Sequence, residues 1–160
     1  MSKAFTREDD AADFAPIRPS TALPQGVKNY ITADGAERLR AELDRLQGTR
    51  TAVAEAKDRA RLNEIEQRIS ILTQILGTLV IVPASSGDQA RFGARVRVKY
   101  PSGDIETFRI VGVNEIDLDQ NWISWQSPLA KALMNAKAGD VVRFKSPGGE
   151  QKLEVLSVES

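Results

Sequence analysis

Histidine and cysteine are both missing from the 160 residues of this chain. Their absence excludes a Ser-His-Asp or Cys-His nucleophile pair and any thiolate or imidazole metal site. Chemistry of its own would have to rest on carboxylates, lysines or tyrosines. Without cysteine there are no disulfides, which suits a reducing compartment. No apolar run reaches the roughly 18 residues of a membrane span, and the N-terminus carries no apolar signal core. These absences predict a cytoplasmic protein without membrane contact. Net charge is missing too, since 22 basic residues balance 22 acidic ones. No global field then draws the chain to nucleic acid, so such a contact would need a local patch.

What is present is a mirrored ladder. Leu39, Leu43, Leu46, Arg50 and Val53 advance in steps of 4, 3, 4 and 3, and Leu62, Ile65, Ile69, Leu72 and Leu76 in steps of 3, 4, 3 and 4. Pairing outermost with outermost centres every pair between Lys57 and Asp58. A 3,4 spacing keeps one stripe of a helix facing its partner, so the pattern predicts an antiparallel two-helix coiled coil with Glu55 to Arg59 at its tip. Gly48 lies mid-helix, where it costs about 1 kcal/mol relative to alanine. It allows a second reading, in which the first helix stops at Gln47 and a long second one begins near Thr51. The symmetry favours the hairpin, because an early stop leaves Leu62 without a partner.

The pattern divides the chain into a flexible tail at 1–27, the coiled-coil hairpin at 28–82, a linker at 83–91 and a C-terminal domain at 92–160. The tail has prolines and acids but too little apolar area to offset the entropy of ordering it. Tyr30 to Thr32 lead into the first helix, with Thr32 or Asp34 placed to cap it. From Phe92 the pattern alternates as strands do, with Val96, Val98 and Tyr100 on one face and Arg95, Arg97 and Lys99 on the other. Pro101 to Asp104 make a turn, a second strand covers about Glu106 to Val113, and a short third includes Trp122 to Ser124. Pro128 opens a helix from Leu129 to Met134, and two further strands cover Val141 to Lys145 and Gln151 to Val158. The expected class is α+β, with a small antiparallel sheet and one helix.

Ser124-Trp125-Gln126-Ser127-Pro128-Leu129-Ala130-Lys131-Ala132-Leu133-Met134, followed by Gly139-Asp140, resembles the signature of the GreA/GreB transcription elongation factors. Phe108 to Gly112 and Pro147 to Glu150 are similar to that family as well. Met1 to Arg7 and Lys28 to Thr32 lean toward GreB. The resemblance implies an FKBP-like C-terminal domain that binds bacterial RNA polymerase, and a coiled coil that enters the polymerase secondary channel. There, acidic tip residues help hold a catalytic magnesium while a backtracked transcript is cut. No cofactor of the chain's own is implied, since magnesium enters only through the polymerase, and the factor is an accessory rather than an enzyme. A monomer is expected.

The chain departs from the family at the tip. The Gly-Asp-x-x-Glu-Asn type of stretch is missing, and the hairpin is shorter than usual by about two to three turns per helix, or roughly 10–15 Å. Glu55 and Asp58 are the remaining tip candidates, beside Lys57, Arg59 and Arg61, which repel a metal. Weak or absent stimulation of cleavage is therefore expected. The alternatives are a working cleavage factor using Glu55 and Asp58 and, remotely, a peptidyl-prolyl isomerase by fold analogy alone.

Gln126, Ser127, Pro128 and Leu129 are the polymerase-binding residues by resemblance, although a serine cap and N1 proline also simply start a helix. Gln126 stands where GreB-type relatives have an aspartate. Arg95, Arg97 and Lys99 form a basic stripe that could meet nucleic acid in the elongation complex, a solvated strand face being the plainer reading. Trp122 is expected to be buried against the sheet.

Overall fold

A computed structural model describes residues 23–160. Residues 1–22, which hold most of the expected tail and the Met1–Arg7 segment, lie outside the described residues. Strand β1 (Asn29–Thr32) runs directly into helix α1 (Ala33–Glu55). The switch occurs at Thr32, which keeps extended backbone while its hydroxyl accepts from the Gly35 amide at 3.1 Å. Thr32 is thus the cap, and the Asp34 carboxylate is left for another partner.

Helix α1 continues through Gly48, so the early-stop reading is wrong. At 1.5 Å per residue it is about 35 Å long. Helix α2 (Arg59–Leu76) returns beside it after a turn at Ala56 and Lys57. Leu39, Val53, Ile65 and Leu72 are buried along the seam, and Leu43, Leu46, Leu62, Ile69 and Leu76 are half-buried. Arg50 is the exposed exception. A forked ion pair, Arg68 to Glu42 at 2.8 and 3.1 Å, ties the helices together from outside the seam. A methyl group on Gly48 would meet nothing within 4 Å. Gly48→Ala should therefore stabilise the protein by about 1 kcal/mol; an unchanged or lower melting temperature would contradict this.

The expected lead-in and exit of the hairpin are paired strands. After the turn at Gly77 and Thr78, strand β2 (Leu79–Val82) lies parallel to β1, in register from Asn29 with Leu79 to Thr32 with Val82. Ile31, Ala36, Leu39 and Leu72 form a core above this clasp. It ties the two ends of the hairpin to each other.

The second module is a five-stranded sheet in the order β5-β4-β3-β7-β6. Its strands are β3 (Arg95–Lys99), β4 (Ile105–Val111), β5 (Trp122–Ser124), β6 (Val141–Ser146) and β7 (Gly149–Glu159). Helix α3 (Pro128–Leu133) covers the inner face, where Ala130 and Leu133 join Val96, Val98, Phe108, Ile110, Leu153 and Val155 in the core. The sheet is mixed rather than antiparallel throughout, because β4 and β5 pair in parallel. The chain reverses twice between them, once at Gly112–Glu115 and again at Asp117–Trp122, which restores its direction. No helix among the described residues is long and apolar enough to cross a membrane.

Candidate functional site

At the hairpin tip, Ala56 and Lys57 donate to the carbonyls of Ala52 and Ala54, both at 3.1 Å, and Lys57 closes the turn with φ of +58°. A lysine held in the left-handed region is uncommon and marks a tight reversal. Asp58 then caps α2, accepting from the Arg61 amide at 3.2 Å. Of the two acidic candidates, Asp58 is thus engaged by its own helix and Glu55 is exposed on the last turn of α1. Lys57, Arg59 and Arg61 are exposed beside them. No group of three or more acidic side chains gathers among the described residues. The tip does not fit a magnesium site of its own, which needs several oxygen ligands about 2 Å from the ion.

Gln126, Ser127, Pro128 and Leu129 lie where β5 passes into α3. The Ser127 hydroxyl accepts from the Ala130 amide at 3.1 Å, the Ser127 amide donates to the Ser124 carbonyl at 2.9 Å, and Pro128 occupies the first turn. Pro128 is exposed, whereas Leu129 packs against the sheet core. Pro128 and the half-buried Gln126 are therefore the surface members of the motif. Arg95, Arg97 and Lys99 alternate outward on β3, as the pattern predicts.

A joint between hairpin and sheet, not anticipated above, is built around Glu115. Glu115, whose side chain is 1% exposed, accepts from the Thr32 amide at 3.1 Å, the Gly112 amide at 2.9 Å and the Thr32 hydroxyl. Arg38 approaches it at 3.7 Å. Beside it Arg109 forks onto Asp34 at 3.0 and 2.9 Å. Trp122 lies within 4.7 Å of the Arg38 guanidinium and 4.9 Å of that of Arg109, so its partners are cations of the joint as well as the sheet. Tyr30 meets Trp125 and Phe92 edge-on, with ring centroids at 5.1 and 6.1 Å. The available signal was Arg109, a charge inside the apolar run Phe108 to Val111. Its partner, 75 positions away, could not be read from one chain.

The Arg109 hydrogen bonds, helped by Thr32 and Arg38, hold the Asp34 carboxyl well below the ordinary carboxylate range. A depressed folded value means that the pair stabilises above the unfolded value near pH 4 and is lost only as pH falls through the folded one. The melting-temperature gap between wild type and Asp34→Asn should accordingly stay constant from neutral pH to mild acid and close only in stronger acid. A gap that closes above about pH 5 would refute this.

A helical hairpin clasped at its root and locked onto a curled mixed sheet defines a two-module α+β protein with a projecting arm. Residues 84–160 match the family model described as transcription elongation factor, GreA/GreB, C-term. The chain is 37% identical over 154 positions to transcription elongation factor GreB of Neisseria meningitidis serogroup B, covering 83% of this chain and 94% of the relative. It is 36% identical to transcription elongation factor GreA of Acidiphilium cryptum, covering 80% and 95%. The crystal structure of GreA factor homolog 1 (Gfh1) of Thermus thermophilus is 26% identical, covers 84% of this chain and 100% of its own, and gives a TM-score of 0.42. The chain belongs to the GreA/GreB family of transcription elongation factors. As a Gre factor it is an accessory of transcription rather than an enzyme.

Proposed function

We propose that the protein binds bacterial RNA polymerase through the β5–α3 surface of its sheet module, and that its hairpin occupies the secondary channel without stimulating transcript cleavage. The observation that carries this reading is the tip: Glu55 and Asp58 are its two carboxylates, one oxygen of Asp58 already accepts from the Arg61 amide as a helix cap, and Lys57, Arg59 and Arg61 stand exposed beside them. Length supports it. The alignment to the Neisseria relative spans 154 positions but 83% of 160 residues is about 133, so about 21 positions of that alignment have no counterpart here. Two to three turns removed from each of two helices amount to roughly 14–22 residues at 3.6 per turn. The arm then acts by occupancy, in the cytoplasm and as a monomer.

The test is a halted, backtracked elongation complex challenged with the full chain. The complex should bind the protein while its RNA keeps its length. Rapid shortening that disappears in Glu55→Ala and Asp58→Asn would overturn the proposal; asparagine is chosen because it keeps the cap that alanine would remove at a cost of about 1 kcal/mol. Binding unaffected by Gln126→Ala with Pro128→Ala would refute the docking surface. That pair spares Leu129, which the core needs.

A further inference from the structure

The basic stripe seen in the sequence is one edge of a larger surface. Strand β7 separates β3 from β6, and the register sets Lys99 opposite Glu154, Glu154 opposite Val141, Lys152 opposite Arg143, and Glu150 opposite Lys145. Directly opposed residues share a face. Arg95, Arg97 and Lys99 on β3, Lys152 on β7, and Arg143 and Lys145 on β6 therefore lie together on the outer face, and all six are exposed. None of the six forms an ion pair among the described residues. Glu150, Glu154 and Glu159 share the face, so cations outnumber acids six to three.

Two details set this patch apart from an ordinary solvated strand. The hairpin root covers the β4–β5 side of the outer face, where Arg109 is neutralised by Asp34, and Arg95 lines a cleft with Asp34, Val82, Ala84 and Ser85, while Arg97, Lys99, Lys152, Arg143 and Lys145 are exposed on the remaining face. Arg143 and Lys152 also stand directly opposite each other, an arrangement that destabilises a sheet unless an anion lies between them. Alternate side chains on a strand recur at about 6.7 Å, a repeat suited to successive backbone phosphates.

We infer that the open β3–β7–β6 face binds the phosphate backbone of duplex DNA without reading its sequence. Duplex is favoured over single strands because this part of the face carries no aromatic side chain. Single-strand binders rely on aromatic platforms for base stacking; Phe144 points to the core, and Trp122 is occupied by Arg38 and Arg109. Cations without stacking surfaces grip a backbone electrostatically.

The experiment is fluorescence anisotropy of the full chain with a short labelled DNA duplex across a salt series, with single-stranded RNA and polyglutamate as parallel probes. The assay contains no polymerase, so its outcome is independent of the channel reading. Duplex should bind at low salt and weaken steeply with added salt. Arg97→Glu with Arg143→Glu should raise Kd roughly tenfold or more and reduce the log–log salt slope by about 2, close to 1 per lost phosphate contact. Arg97→Gln with Arg143→Gln gives the same test with less perturbation, and circular dichroism verifies the fold of each. Absent duplex binding at low salt, equal binding by folded variants, or tighter binding of RNA or polyglutamate would each overturn the inference.

Discussion

Glu115→Ala is expected to separate the hairpin from the sheet module while leaving the sheet folded. The substitution strips the acceptor from the amides of Thr32 and Gly112 and from the Thr32 hydroxyl, and leaves Arg38 and Arg109 short of an anion. Breaking a buried charged network by removing one member costs about 3–5 kcal/mol. The loss falls on the joint, because the sheet keeps its own core of Val96, Val98, Phe108, Ile110, Leu153 and Val155. Thermal unfolding should split into two phases, with the earlier one reported by loss of helical circular dichroism, and protease should cut sooner between 83 and 91. Glu115→Gln should fall between the two, since its amide oxygen can accept but its NH2 opposes donors. One cooperative transition within a few degrees of wild type would contradict the argument.

Gly112→Ala should be comparably damaging for a steric reason. A Cβ there would collide with the Tyr30 carbonyl oxygen and stand 3.0 Å from the carbonyl carbon. The obstacle is backbone, so no rotamer change relieves it and β1 must move off β4. We expect a cost of about 3 kcal/mol, the upper end of ordinary overpacking. Gly35 is the contrasting case: its Cβ would collide with the Glu115 carboxylate oxygen, a side-chain atom that can be displaced at the expense of its hydrogen bonds. Because Gly112→Ala and Glu115→Ala open the same joint, the double variant should lose clearly less than the sum of the single losses. Full additivity in denaturant unfolding would show that the two act on separate structures.

The hairpin was legible because its information is local and periodic. Leu39 to Val53 and Leu62 to Leu76 state both the facing stripe and the turn, and the turn falls at Ala56 and Lys57. Strands β3, β5 and β6 were legible from alternation and from Pro and Gly punctuation. The parallel pairs were not. Nothing in Tyr30-Ile31-Thr32 or Leu79 to Val82 says that they meet, and the double reversal before β5 depends on contacts such as the Asp117–Trp122 bridge. At the candidate site, the Ser127 cap was written in its residue order. The engagement of Leu129 by the core was not, because it depends on how α3 sits against strands distant in sequence. The Thr32, Asp34, Arg109 and Glu115 joint escaped for the same reason, since two of its members precede the hairpin seam and two follow it.

Lys57 in its left-handed turn has a consequence for how arms of this kind change over evolutionary time. A reversal closed by so few residues leaves no slack, so length added to one helix must be matched on the other or the seam falls out of register. Insertions that preserve the facing stripe come in paired heptads, each lengthening the arm by roughly 10 Å. Reach in such a protein is inherited in discrete increments, and a factor one increment short is a different instrument rather than a slightly weaker one.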